Sequence, residues 1–180
     1  MKANKLVKIL VPVLIIVIIA GIWFVKNSGE ESPDANATPE IMEGANFGLR
    51  ETEAIDFEAL SAYGLPIIID YGADSCIPCK AMAPVLEKAN SVFSGKAFVK
   101  FINVWDYPDA ANNVPVQVIP TQVIFDADGK PYIPSEELSA EIQFDMYSAR
   151  DTGEHVFTVH QGGLTEEQMW AILEDMGVTE

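Results

Sequence analysis

The sequence is short of the side chains that hold structural metal ions. Its 180 residues include only two cysteines and two histidines. A structural zinc site needs four ligands, and His155 and His160 lie five residues apart on a predicted strand, so their side chains are expected on opposite faces. A disulfide between Cys76 and Cys79 would close a loop of four residues, which adds little stability. We therefore expect neither a metal site nor a purely structural disulfide.

Basic residues are scarce outside the first 26 residues. That segment holds four of the eleven lysines and arginines and no acid, so the rest of the chain carries seven bases against 27 acids, a formal charge of −20. Such a surface repels phosphate backbones, and we expect no nucleic-acid partner. The acidity itself is typical of a solvated surface and identifies no partner.

Charge is also missing from residues 9–25, a run of 17 residues rich in Ile, Val and Leu. Three lysines precede this run and one follows it. The pattern predicts a single-pass membrane anchor over residues 1–26, which contacts the membrane through residues 6–25. Because lysines favour the cytoplasmic side, the rest of the chain is expected to be extracytoplasmic. A cleaved signal peptide is the alternative, although residues 23–26 are a poor approach to a cleavage site.

Two further regions follow the anchor. Residues 27–43 are rich in Gly, Ser, Pro, Asn and Thr and carry five acids, so they predict a flexible acidic linker. The folded domain is predicted over residues 44–180. Asn46–Arg50 is a candidate edge strand, and Asp56 is expected to cap a short helix that ends before Gly64.

The middle of the domain alternates strand and helix patterns. Pro66–Tyr71 is a continuous apolar run, as in a strand that is buried on both faces. Lys80–Phe93 has one apolar face at helical spacing, and Ala97–Val104 is a second strand, so the three segments predict a right-handed β-α-β unit. Thr121–Phe125 predicts another strand, and Lys130–Ile133 predicts the beginning of its return strand.

The C-terminal part of the domain is less regular. Ile142, Phe144 and Met146 alternate with polar residues, which indicates a strand in the 134–153 segment. The β character continues from His155 to His160, and Thr165 is expected to cap a final helix.

The most informative motif is Cys76-Ile77-Pro78-Cys79, which lies between the first buried strand and the long helix. A thiolate attacks a disulfide, and unpaired N–H groups at a helix N-terminus favour a thiolate. Cys76 is therefore the predicted nucleophile, and Cys79, one turn further on, is the predicted resolving thiol. Pro78 removes an N–H group and stiffens the loop. Ile77 and Pro78 are candidate substrate contacts.

Two residues outside the Cys76–Cys79 motif, Asp70 and Pro120, carry further predictions. Burial at the end of an apolar strand would raise the pKa of Asp70, which makes it a candidate proton acceptor for Cys79. A loop-capping aspartate is the alternative. The bond before Pro120 can be cis far more readily than other peptide bonds, and a cis bond there would expose the Ile119 backbone to an extended substrate peptide. An ordinary trans proline is the alternative.

These features resemble the thioredoxin family in their order along the chain. The resemblance covers residues 44–180 and implies an α/β fold: a three-layer α/β/α sandwich with a central mixed sheet and an extended C-terminal β-hairpin. It also implies proton transfer through the buried acid and a pairing of Lys100 with that acid; a solvated surface lysine is the alternative for Lys100. The matching positions are Asp70 six residues before Cys76, Cys79 followed by Lys80, Pro84 in the helix, Ile119-Pro120-Thr121, and Gly162 before the last helix.

The sequence departs from the best-known family members near the cysteines. Ser75 and Gly72 stand where those members have aromatic residues, and Ile77 replaces a glycine. The resemblance implies a thiol–disulfide oxidoreductase without a cofactor, acting on protein disulfides. The predicted anchor adds the expectation that the domain lies outside the cytoplasm and is re-reduced by a transmembrane electron-donor protein. A thiol oxidase is one alternative. A copper carrier or peptide-binding module on the same scaffold is another.

Overall fold

The computed structural model describes residues 44–180. The predicted anchor over residues 1–26 and the predicted linker over residues 27–43 lie outside the described residues. Within residues 44–180, no helix is both long and apolar enough to cross a bilayer.

A six-stranded mixed sheet forms the centre of the domain. The strands are β1 (Arg50–Glu51), β2 (Ile67–Gly72), β3 (Phe98–Asn103), β4 (Thr121–Phe125), β5 (Asp145–Ser148) and β6 (His155–Gln161). Their order in the sheet is β1-β3-β2-β4-β6-β5. The first three strands in this order are parallel, and the remaining pairings are antiparallel. The mixed sheet predicted by the family resemblance is therefore present.

Helices cover both faces of the sheet. They are α1 (Phe57–Ser61), α2 (Ile77–Val92), α3 (Glu136–Glu141) and α4 (Glu166–Asp175), with a 3₁₀ turn at Pro108–Ala111. Asp56 caps α1 by accepting from the Ala59 N–H, as the sequence predicts. Thr165 caps α4 in a reciprocal arrangement with Gln168, so both side chains satisfy orphan N–H groups of the first turn.

Two hydrophobic clusters fill the space between the sheet and the helices. One lies under α2 and α4 and includes Ile68, Met82 and Leu173. The other lies under α1 and the 3₁₀ turn and includes Ile69 and Phe98. Every residue of β2 is buried, because alternate side chains of this strand enter the two clusters. The prediction of a strand buried on both faces is confirmed.

The segment between β4 and β6 differs from the sequence prediction. The prediction that a return strand begins at Lys130–Ile133 was wrong, because this segment forms only an isolated bridge, between Pro131 and Phe125. Two backbone hydrogen bonds flank this bridge: the Asp126 N–H donates to the Lys130 carbonyl oxygen at 2.8 Å, and the Tyr132 N–H donates to the Ile124 carbonyl oxygen at 3.1 Å. The strand that pairs with β4 is β6 instead. The alternation around Ile142, Phe144 and Met146 corresponds to the shorter β5, which follows α3 and forms an edge hairpin with β6.

The expected pairing of Lys100 with Asp70 was also wrong. Lys100 lies opposite Ile69 in the β2–β3 ladder, whereas Phe101 lies opposite Asp70. Side chains alternate between the faces of a strand, so Lys100 points away from the face that carries Asp70.

Lys100 instead fastens the N-terminal segment of the domain to the sheet. Its ammonium donates to the backbone oxygens of Asn46 at 2.6 Å and Gly48 at 2.8 Å, and to the Glu51 carboxylate at 2.6 Å. The Lys100 side chain is 2% exposed and that of Glu51 is 25% exposed. Since β1 has only two residues, these three bonds add to the attachment of this segment, together with the Asn90 side chain, which donates to the Phe47 carbonyl oxygen at 2.7 Å.

We expect Glu51→Gln to destabilise the domain, because it leaves the buried Lys100 ammonium without its counter-charge. The expected loss is about 2 kcal/mol in the free energy of unfolding, measured by urea denaturation. Glu166→Gln is the matched control, since Glu166 pairs with Lys88 at the surface and its loss should cost less than about 1 kcal/mol. Equal losses in the two variants would contradict a buried anchoring role for Lys100.

Candidate active site

The two cysteines lie where β2 gives way to α2. Cys76 is the N-cap of α2: its backbone is extended, and its sulfur accepts a hydrogen bond from the Cys79 N–H at 3.3 Å. Pro78 lies in the first turn, where a missing N–H group costs no helical bond. The Cys76 sulfur therefore lies at the positive end of the helix dipole, which favours its thiolate form.

The two sulfurs have different surroundings. Cys76 and Cys79 are joined by a disulfide, with their Cα atoms 5.3 Å apart. Cys76 is partly exposed, whereas only 4% of Cys79 is accessible. A substrate can therefore approach Cys76 directly, while Cys79 lies one turn inside the protein. This difference matches the predicted division between a nucleophile and a resolving thiol.

The Ile119–Pro120 peptide bond is cis and lies beside the cysteines. The carbonyl oxygen of Ile119 is 3.8 Å from the Cys76 sulfur. Ile77 on one side and Val118 on the other are exposed apolar side chains, with 82% and 51% of their surfaces accessible. The contact of Ile77, Pro78 and Ile119 with a substrate stays a prediction.

Asp70 is fully buried on the face of β2 that packs against α2. Its Oδ1 accepts a hydrogen bond from Gln122 Nε2 at 2.6 Å, and its Oδ2 has no hydrogen-bond partner within the described part of the chain. Burial raises the pKa of this carboxyl group to about 7, and the hydrogen bond from Gln122 lowers it in part. A group with such a pKa exchanges its proton near neutral pH.

Gly72 brings Asp70 and Cys79 to the same small space. A Cβ atom at residue 72 would lie 3.0 Å from Asp70 Oδ2, 3.4 Å from Cys79 Sγ and 2.9 Å from a ring carbon of Phe101. A larger residue would therefore fill the space that the carboxyl group and the sulfur share. Gly72 therefore keeps this space open.

A small cavity reaches Cys79 from the side of β1. Its volume is about 40 Å³, and Arg50 and Asp74 pair at 3.0 Å among its lining residues. The Arg50 hydrogen bond holds the pKa of Asp74 below its usual range. Lys80 also lines this cavity, while Pro84 lies on the exposed side of α2.

Gln122 is the functional candidate that sequence reasoning missed. Its side chain is fully buried, and Nε2 also lies 3.3 Å from Met82 Sδ. The available signal was a polar residue inside the apolar strand Thr121–Phe125, which an antiparallel pairing with β2 could bring beside Asp70. The pairing of Gln122 with Asp70 depends on the register between β2 and β4, which the local sequence pattern does not predict.

The histidines make contacts of their own, away from any cluster of metal ligands. His155 Nε2 lies 2.9 Å from Thr158 Oγ1, and His160 Nδ1 lies 2.9 Å from the Gln143 carbonyl oxygen. Within residues 44–180, no group of three or more His, Cys, Asp or Glu side chains is arranged to hold a metal ion.

Replacing Asp70 by Asn should stabilise the oxidised protein at alkaline pH. An unfolded aspartate loses its proton near the ordinary value of 3.8, whereas the folded pKa is about 7. Between these values the folded state holds the extra proton, so wild-type stability falls as pH rises, by roughly 4 kcal/mol in total. The amide of the Asp70→Asn variant stays neutral, so the free-energy gap between variant and wild type should grow from pH 4 to pH 8.

Urea denaturation of the oxidised full-length chain at both pH values measures this gap. Asp74→Asn is the control, because Asp74 is exposed and its pKa is lowered rather than raised. A gap for Asp70→Asn that stays constant from pH 4 to pH 8 would contradict the raised pKa.

Comparison with known proteins agrees with the fold and with this geometry. The thioredoxin family model matches residues 51–144, just over half of the chain. The chain is 44% identical over 61 residues to thioredoxin 1 of Chlorobaculum tepidum, covering 34% of this chain and 60% of that relative. It is 34% identical over 83 residues to a thioredoxin of Alicyclobacillus acidocaldarius, covering 43% of this chain and 78% of the relative.

A third relative gives the same result. The chain is 31% identical over 90 residues to a thioredoxin of Synechocystis, covering 50% of this chain and 75% of that protein. With the mixed α/β sheet and a cysteine pair at the start of α2, these matches establish that the chain belongs to the thioredoxin family, and that Cys76 and Cys79 form the pair of a thiol–disulfide oxidoreductase.

Proposed function

We propose that this protein reduces disulfides of extracytoplasmic proteins and is itself re-reduced by a transmembrane electron-donor protein. The observation that carries the proposal is the asymmetry of the cysteine pair. Cys76 is accessible at a helix N-terminus, and Cys79 is buried beside an acid whose pKa is near 7. Attack on a substrate disulfide needs an accessible sulfur such as that of Cys76. Resolution of the mixed disulfide needs a second thiol that is shielded until the mixed disulfide forms, such as that of Cys79.

The reaction moves two electrons from the protein to the substrate. The Cys76 thiolate attacks one sulfur of the substrate disulfide, forms a mixed disulfide and releases a substrate thiolate. Cys79 then gives its proton to the Asp70 carboxylate, and its thiolate attacks the Cys76 sulfur. The bond between Cys76 and the substrate breaks, the second substrate thiolate leaves and takes up a proton, and the Cys76–Cys79 disulfide remains. A dithiol of the electron donor reduces that disulfide in the next cycle.

The direction and location of the reaction are supported by the sequence. A buried Asp70 and a β-branched Ile119 before Pro120 resemble the reducing branch of the family. The apolar run at residues 9–25, with lysines before it, supports an N-terminal anchor and an extracytoplasmic domain. Cytochrome-c precursors and oxidised repair enzymes are examples of the targets that such a reductant would serve.

We expect Cys76→Ser to abolish the reduction of insulin disulfides, because it removes the attacking thiolate. Cys79→Ser should also stop turnover but should trap covalent mixed disulfides, since attack still occurs and resolution does not. Non-reducing gel electrophoresis of cell extracts measures the trapped species, and mass spectrometry identifies the partners. Turnover at the wild-type rate in either variant would refute the mechanism. Trapped partners that are all cytoplasmic would refute the extracytoplasmic location.

The reduction potential of the Cys76–Cys79 pair decides the direction of electron flow. A reductant should have a potential near that of thioredoxins, about −270 mV, whereas a strong disulfide-inserting oxidant lies near about −120 mV. Equilibration of the full-length chain with dithiol buffers of known potential, followed by thiol alkylation, gives the value. A potential above that of the thiol pool of its compartment would favour the oxidase over the reductase.

A further inference from the structure

The chain gives Asp70 an uncharged hydrogen-bond donor in place of a cation. Within the described residues, Gln122 is the partner of Oδ1, at 2.6 Å. Lys100, the nearest lysine along β3, lies on the other face of the sheet and pairs with Glu51. The acid is therefore held by an amide that is itself fully buried.

The Gln122 amide is oriented by its second contact. Its Nε2 donates to Asp70 and also lies 3.3 Å from Met82 Sδ, while its Oε1 has no partner within residues 44–180. An amide nitrogen has two N–H groups, so both are directed, one to the carboxyl group and one to the sulfur. This arrangement keeps a donor rather than an acceptor toward Asp70.

We propose that Gln122 is a positioning residue for proton transfer from Cys79. Its amide holds the Asp70 carboxyl group in place and sets the pH at which that group can accept the Cys79 proton. The inference rests on the proposed role of Asp70 in resolving the mixed disulfide. It deepens that role, because it assigns control of the proton affinity to a residue that neither touches the substrate nor titrates.

The physical reason is the cost of a buried charge. A carboxylate in an apolar interior is strongly disfavoured unless hydrogen bonds reach the charged form. One N–H donor stabilises the ionised acid more than the neutral acid and therefore lowers its pKa. Without the donor, burial would keep a larger fraction of the Asp70 carboxyl groups protonated at neutral pH, so a smaller fraction could accept a proton from Cys79.

Within residues 44–180, two other titratable side chains, those of Cys79 and His160, face Asp70 or lie in its cross-strand row. Cys79 faces Asp70 from α2, and His160 on β6 lies beyond Gln122 in the same cross-strand row. From β3 the facing residue is the apolar Phe101. In the oxidised protein Cys79 carries no proton, so Asp70 and His160 are the groups in this row that can change charge.

The test is the titration of the Asp70 carboxyl carbon by NMR in the oxidised full-length chain, kept in detergent. We expect Gln122→Met, which keeps the length of the side chain and removes the donor, to raise the Asp70 midpoint by about one pH unit. Thr158→Val is the matched control: Thr158 is fully buried and hydrogen-bonded, and it lies opposite Ile124 rather than beside Asp70. It should lower stability and leave the midpoint unchanged.

Two further measurements keep the test decisive. In the wild-type protein, the Gln122 side-chain amide resonances should shift with pH at the same midpoint as Asp70. The same midpoint in His160→Asn would show that the shift does not come from His160. This measurement needs no substitution at residue 122. When the Cys76 thiolate of the reduced protein attacks an aromatic disulfide, one aromatic thiolate leaves and the other half stays in a mixed disulfide with Cys76. Release of this second thiolate by Cys79 should be about fivefold slower at pH 7 in Gln122→Met than in wild type.

An unshifted Asp70 midpoint in Gln122→Met, an equal shift in Thr158→Val, or a Gln122 amide that does not titrate would overturn the inference. These outcomes are independent of turnover. If the Asp70 midpoint shifts as expected in Gln122→Met but the wild-type protein does not reduce insulin, the proposed function is refuted and the coupling of Gln122 to Asp70 is supported. If the wild-type protein reduces insulin but the Asp70 midpoint does not shift in Gln122→Met, only this inference is overturned.

Discussion

The structure depends on a central strand that is buried on both faces. Because β2 has no side open to water, the carboxyl group of Asp70 must lie in an apolar interior, and its surroundings decide whether it can ionise. The donor comes from Gln122 on one neighbouring strand. The space toward Cys79 comes from Gly72 on the same strand. The chemistry of the cysteine pair is thus built on the packing of the sheet, and not only on the loop that carries the pair.

One turn of helix gives the two thiols different chemical roles. Cys76 caps α2, so its sulfur receives an N–H hydrogen bond and the field of the helix dipole. Cys79 lies one turn later, on the inner side of the same helix, where it is 4% exposed and shares a space with Asp70. Accessibility therefore selects the attacking sulfur, and proximity to the buried acid selects the resolving sulfur. The Cys-x-x-Cys spacing alone predicts neither the difference in accessibility nor the difference in distance from the buried acid.

Local patterns in the sequence predicted the features that local physics decides. The apolar run before Asp70 predicted a doubly buried strand and Thr165 predicted a helix cap, and the structure has both. For the bond before Pro120 the sequence left cis and trans open, and the structure has the cis form. The partners of Lys100 and Asp70 were beyond such reasoning, because they depend on which residues of separate strands lie side by side. A shift of one residue moves a side chain to the opposite face of the sheet.

The same alternation explains how the domain buries two ionisable groups without joining them. Lys100 lies on one face of the sheet, where Glu51 and backbone oxygens surround its ammonium, and Asp70 lies on the other, where an amide supports its carboxyl group. A lysine beside Asp70 would favour the carboxylate and lower the pKa of this group. Separation by the sheet keeps the pKa near neutral pH, where a carboxyl group can both accept a proton from a thiol and return it.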